Sequence, residues 1–204
     1  MNWPTSLPLI AILRGIRPDE AVAHAQALVD AGFDAIEIPL NSPDWPTSIR
    51  RVVDALGDRA LIGGGTVLRE DDADALAAVG GRLVVTPNTR PALIAHAVHR
   101  GLHVAAGFAT ASEAFAALDA GAQALKLFPA STYGPGHVKA LRSVLPPIPL
   151  FAVGGITPDN LAGYLRAGCL GAGLGGDLYQ PGQAVARTTE RARAFVAAYR
   201  AATA

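Results

Sequence analysis

Two ionisable residues stand in apolar runs where a charge is expensive to desolvate. Lys126 sits in "QALKLFP" (123–129), with leucine on both sides. It is one of only two lysines, Lys126 and Lys139, against fifteen arginines. Glu37 sits in "DAIEIPL" (34–40) between two isoleucines. Burial favours an uncharged amine, and an uncharged lysine attacks a ketone to form a Schiff base. A fall in pKa from ~10.4 towards ~7–8 raises the nucleophilic fraction by a factor of hundreds. A buried glutamate nearby is a suitable general acid and base. Two plainer readings stand beside this one: a structural ion pair, or a lysine that snorkels to a rim. Lys139, in "GHVKALRSVL", has a helical pattern and reads as solvated.

The elements that must position this pair recur along the chain. Short apolar runs fall at 7–13, 34–40, 60–66, 82–87, 102–107, 123–129, 148–155 and 170–176. Ala-rich amphipathic segments separate them, at 19–32, 71–80, 91–101 and 112–121 among others. The first ends at Gly32; the rest end at Gly80, Gly101 and Gly121, as left-handed C-terminal caps require. The last helix is expected over about 181–202. Eight strand-then-helix units imply a parallel sheet covered by helices, closed as an α/β (β/α)₈ TIM barrel. The whole chain, 1–204, reads as one such domain. An open doubly wound sheet is the alternative, but no G-x-G-x-x-G follows the first strand.

Side chains alternate along a strand. Leu125 and Leu127 therefore face the helices, while Ala124, Lys126 and Phe128 face the barrel interior. Ile36 and Ile38 likewise face out; Ala35, Glu37 and Pro39 face in. Both ionisable groups lie near C-terminal strand ends, where this fold keeps its active sites. Arg14, Thr66, and Pro87 with Asn88 end the first, third and fourth strands. Arg14 can hold a carboxylate with its fork, or can be a merely exposed strand-end arginine. Gly63, Gly64 and Gly65 either admit a ligand close to the backbone or make a tight turn. "AVGGITPDN" (152–160) and "GAGLGGDLYQPG" (171–182) place glycine pairs after the last two strands. Free backbone N–H groups there are a usual phosphate site of this fold.

Composition narrows the rest. Seventeen basic and seventeen acidic residues cancel, which offers nucleic acid no bulk attraction. Cys169 is the only cysteine, so no internal disulfide forms and a reducing compartment fits. It reads as a small packed residue. "MNWPTSLPLIAILRG" has no basic n-region, and no run approaches the ~20 apolar residues of a membrane helix. The expectation is a cytoplasmic protein without a membrane partner. The histidines at 24, 96, 99, 103 and 137 show no metal-ligand spacing, so no metal and no other cofactor is expected. His96 and His99 read as surface residues.

Taken together and in order, "LPLIAILRGI", "AIEIPLNSP", "GGGTVL", "VVTPN", "ALKLFPAS", "FAVGGITP" and "AGLGGDLY" resemble a known family. It comprises the class I bacterial aldolases that cleave 2-keto-3-deoxy-6-phospho sugar acids. The resemblance covers essentially the whole chain and favours the galactonate branch. In the gluconate branch the catalytic glutamate usually sits in E-V-T-L-R; here the segment is Glu37-Ile38-Pro39-Leu40-Asn41. Asn41 thus replaces an arginine, and Arg14 is inferred to take over carboxylate binding. Val153-Gly154-Gly155 stands where that branch has Thr-Gly-Gly, which removes a hydroxyl near the substrate chain.

The resemblance implies that Lys126 forms the Schiff base and Glu37 shuttles protons. Arg14 and Thr66 would hold the pyruvate end, with Asn41, Pro87, Phe128 and Val153 alongside. Gly154, Gly155, Gly175 and Gly176 would hold the phosphate of a small phosphorylated sugar acid. Gly176 departs from the family, which commonly has serine there. The family forms homotrimers. The competing functions are the same cleavage of the gluconate epimer or of both epimers, a phosphate-binding barrel isomerase or epimerase, and a non-catalytic barrel that binds phosphorylated metabolites.

Overall fold

The computed structural model describes residues 3–204. Eight strands alternate with eight helices. The strands are β1 (Leu9–Ile12), β2 (Ala35–Pro39), β3 (Leu61–Gly65), β4 (Leu83–Val85), β5 (His103–Phe108), β6 (Ala124–Leu127), β7 (Leu150–Val153) and β8 (Gly171–Leu174). The helices are α1 (Ala21–Asp30), α2 (Trp45–Leu56), α3 (Glu70–Ala78), α4 (Pro91–His99), α5 (Ala111–Asp119), α6 (Ala130–Arg142), α7 (Pro158–Ala167) and α8 (Val185–Thr203). All strand pairs are parallel, and β8 closes on β1 with Leu9 opposite Ala172. This is the (β/α)₈ barrel.

Alternation along each strand separates two cores. Outward residues such as Ile36, Ile38, Leu125, Leu127 and Leu174 pack under the helices. Inward residues such as Ile10, Ala35, Leu83, Ala124 and Phe151 fill the barrel's lower interior. Trp3 caps that inner core, with its ring edge-on to Phe151 at 4.7 Å between centroids. The floor is therefore solid and apolar, and any polar chemistry must sit above it.

The caps follow the expected chemistry. Gly32, Gly80, Gly101 and Gly121 all have positive φ, between 77° and 108°. Among the boundaries that differ from the reading of the sequence, two have a local cause. The strand expected to run to Pro87 stops at Val85, because the Thr86 hydroxyl takes over. It accepts from the Gly107 N–H at 2.9 Å and donates to the Asn88 carbonyl at 2.7 Å. The last helix starts at Val185 rather than near 181. Pro181 and Gly182 (φ 78°) make a turn there, and the Gln183 side chain accepts from the Gln180 N–H at 3.1 Å. His96 is half-buried rather than a plain surface residue: it hydrogen-bonds Asp74 at 2.9 Å. Among the described residues, no helix is long and apolar enough to cross a membrane.

Candidate active site

The C-terminal ends of the strands surround a cavity of about 400 Å³. Its wall includes Arg14, Glu37, Thr66, Pro87, Lys126, Phe128, Val153, Gly154, Gly155, Gly175 and Gly176. A larger depression of about 880 Å³ lies at the opposite face, around Trp3, Arg142 and Cys169. It brings no acid and amine together, so its size does not make it the better site.

Lys126 and Glu37 come from β6 and β2, on different sides of the barrel. Both point inward and both are buried, at 6% and 1% exposure. Burial lowers the Lys126 amine below its ordinary pKa; the Glu37 charge opposes this and Arg14 adds to it. Burial pushes the Glu37 carboxyl up to about 7, against the pull of Lys126 and Arg14. The two groups feel each other's charge, yet no nitrogen–oxygen contact at or below 4.0 Å joins them. Glu37 Oε2 is buried without a hydrogen-bond partner. A carboxyl group with an unpartnered oxygen and an unpaired amine in one cavity leave room for a reacting group between them. The Phe128 ring lies against the Lys126 amine, 4.9 Å from Nζ to the centroid.

Gly65 in β3 makes the space that the Glu37 carboxyl group occupies. A Cβ on Gly65 would fall on the Glu37 carboxylate. One on Gly63 would collide with the Leu83 carbonyl, and one on Gly64 would press on Leu40 and Leu76. Both sequence readings of this triplet, a tight turn or a close ligand, give way to a third. The glycines are strand residues that accommodate neighbouring side chains and backbone.

At the rim, Arg14 Nη1 donates to Asn41 Oδ1 at 2.8 Å, and Nη2 donates to Thr66 Oγ1 at 3.3 Å. Asn41 is the one expected contact residue outside the cavity lining; its bond to Arg14 holds the guanidinium. Thr66 has φ 57°, an unfavourable region for a β-branched residue. Such strain is tolerated where the surroundings hold it, commonly at functional sites.

The far end of the cavity is made of backbone. Gly154 and Gly155 have φ 99° and 73° after β7, and Gly175 and Gly176 follow β8. The Gly154 carbonyl accepts from Ser131 N–H, and the Gly155 carbonyl accepts from Asn160 Nδ2. Peptide planarity then turns the N–H groups of Gly155 and Ile156 the other way. The Gly175 carbonyl accepts from Leu178 and Tyr179, and the Gly176 carbonyl from Gln180 Nε2. This turns the N–H groups of Gly176 and Asp177 the other way too. These four N–H groups have no protein acceptor among the described residues, and all four residues line the cavity. Thr157 and Asn160 cap α7 reciprocally, which fixes its N-terminus beside Gly155. Such an array accepts an anion.

The sequence reading missed five wall residues: Ile12, Ile156, Thr157, Gly173 and Asp177. Strand alternation would have found Ile12 and Gly173. No metal-ligating cluster occurs among the described residues.

Fold and site together define a barrel enzyme with an inward amine, an inward carboxyl group and an anion-accepting end. The chain belongs to the KDPG and KHG aldolase family, whose profile matches residues 2–191. A relative in Escherichia coli K12, named 2-dehydro-3-deoxy-6-phosphogalactonate aldolase, is 62% identical over 98% of both chains. One in Rhizobium meliloti, named a probable 2-dehydro-3-deoxy-6-phosphogalactonate aldolase, is 48% identical over 96% of this chain and 93% of its own. A solved structure titled "Native KDPGal structure" superposes with a TM-score of 0.98 at 62% identity, covering 100% of this chain and 99% of its own.

Proposed function

We propose that this protein is a class I aldolase, a single barrel domain over residues 1–204. It reversibly cleaves 2-dehydro-3-deoxy-6-phospho-D-galactonate to pyruvate and D-glyceraldehyde 3-phosphate. The observation that carries the chemistry is the desolvated, unpaired Lys126 amine facing the Glu37 carboxyl group in one cavity. The relatives at 62% and 48% identity support the choice of substrate. Val153, with no hydroxyl beside the substrate chain, agrees with the galactonate branch rather than the gluconate one.

Neutral Lys126 adds to the C2 ketone, and Glu37 moves protons as the carbinolamine loses water. The resulting iminium withdraws electrons from C3. Glu37 accepts the C4 hydroxyl proton as the C3–C4 bond breaks, and the aldehyde phosphate leaves. The bonding pair becomes an enamine. Protonation at C3 and hydrolysis release pyruvate and restore the amine. The iminium is the electron sink, so the scheme needs no cofactor. Arg14, held by Asn41 and Thr66, is placed for the substrate carboxylate. The four free N–H groups suit the phosphate.

By family resemblance the working form is a homotrimer in the cytoplasm, serving galactonate breakdown. Mass photometry should then find three times the chain mass of 20.9 kDa. The substrate is tested by following pyruvate release from the galactonate and gluconate 6-phosphates in parallel. A higher kcat/KM on the galactonate epimer is expected. A preference for the gluconate epimer overturns the substrate assignment, and release from neither overturns the aldolase.

A further inference from the structure

Asp177 lines the cavity beside Gly175 and Gly176, at the end that suits a phosphate. A carboxylate there repels a phosphate dianion. The charged wall residues are Arg14, Glu37, Lys126 and Asp177. Both basic ones serve the opposite, keto-acid end. At the phosphate end, therefore, the one charged wall residue is acidic.

Arg191, from α8, answers that charge from outside the wall. Its Nη2 forms an ion pair with Asp177 Oδ2, and its Nε donates to the Asp177 carbonyl at 2.9 Å. One turn along the helix, the Phe195 ring supports the guanidinium, with Cζ 5.8 Å from the centroid. A planar, permanently charged fork grips both the backbone and the carboxylate of one residue.

We infer that Arg191 is a positioning residue for phosphate recognition. It neutralises Asp177 and holds that carboxylate on itself, so that the N–H groups of Gly176 and Asp177 can receive a phosphate monoester. This rests on the phosphorylated substrate of the proposed reaction. A purely mechanical brace would need only the bond from Nε to the carbonyl. The carboxylate contact separates the two roles, because it can be removed without touching the backbone.

The loop has other braces, so shortening Arg191 should not unravel it. Gln180 Nε2 donates to the Gly176 carbonyl at 3.2 Å. Gln183 Nε2 donates to the Leu178 carbonyl at 3.0 Å and to Thr188 Oγ1 at 2.7 Å.

The test compares wild type, Arg191→Met, Asp177→Asn and the double variant. Each is assayed for kcat/KM on the 6-phosphate and on the same keto acid without phosphate, at low and high salt. Arg191→Met should lower kcat/KM on the 6-phosphate by roughly tenfold at low salt, and less at high salt. The ratio between the two substrates should fall with it. Adding Asp177→Asn to Arg191→Met should recover most of the loss. Asp177→Asn alone should lower KM for the 6-phosphate, which keeps the idea testable should Arg191→Met fold poorly. An unrescued double variant, an equal loss on both substrates, or a higher KM in Asp177→Asn would each overturn it. Failure of the aldolase reading is distinct: wild type would then cleave neither substrate.

Discussion

The two ends of the cavity are built in opposite ways. The Lys126–Glu37 end uses buried side chains carried by strands, whose ionisation is set by desolvation. The Gly155–Gly176 end uses main-chain N–H groups, whose direction is set by where the neighbouring carbonyls are bonded. Side chains can change protonation during a reaction; amides cannot. In the proposed reaction, the end that makes and breaks bonds is therefore built from titratable groups on a rigid sheet. The end that, in that reaction, only holds a charge is built from fixed dipoles in loops.

That contrast can be broken most sharply at Glu37. Glu37→Gln should reduce kcat by roughly 10²–10⁴ while leaving the fold intact; steady-state kinetics with circular dichroism checks this. An unchanged rate would remove the proton-shuttle role. Gly65→Ala attacks the same group indirectly, since the added methyl falls on the carboxylate. A loss of kcat approaching that of Glu37→Gln is expected. Retention of full activity would show that the carboxyl group does not need its observed position.

Stability tests the same desolvation. Folding raises the Glu37 pKa from 4.5 to about 7, so the native state binds more protons than the unfolded chain between those values. Stability from this group is complete below 4.5 and declines as pH rises towards 7. Removing the titration should make the Tm difference, Glu37→Gln minus wild type, grow across that window by several degrees. A pH-independent difference would contradict the raised pKa. At the amide end the expected effects are smaller. Nothing lies within 4 Å of a Cβ built on Gly176, so a serine fits there. Gly176→Ser adds one hydroxyl donor and should lower KM for the 6-phosphate by roughly 2–10-fold, with kcat little changed. No change in KM would place the phosphate elsewhere.

The two ends also differed in how plainly the sequence announced them. Lys126 and Glu37 stood out because a charge in an apolar strand is a local contradiction, and period-two alternation assigns it a face. Leu125 and Leu127 under the helices, with Ala124 inside, follow that rule. The eight-unit repeat fixed the barrel for the same reason. Gly63, Gly64 and Gly65 were misread because a missing side chain leaves no sign of what fills its space. The answer came from register across strands, where Pro39 faces Gly65 and Glu37 faces Gly63. Asn41 was expected alongside the substrate; it accepts a hydrogen bond from Arg14, a contact between loops that no periodicity encodes. Asp177 was missed because it follows β8 into a turn whose direction depends on Gln180 and Arg191.

The central claim is a covalent bond between Lys126 and the keto acid. Incubating the protein with pyruvate and borohydride, then mapping the adduct by mass spectrometry, tests it most directly. The account predicts irreversible inactivation with one reduced pyruvyl adduct per chain, on Lys126, and no adduct in Lys126→Met. Labelling of Lys139 instead, or full activity after treatment, would contradict it.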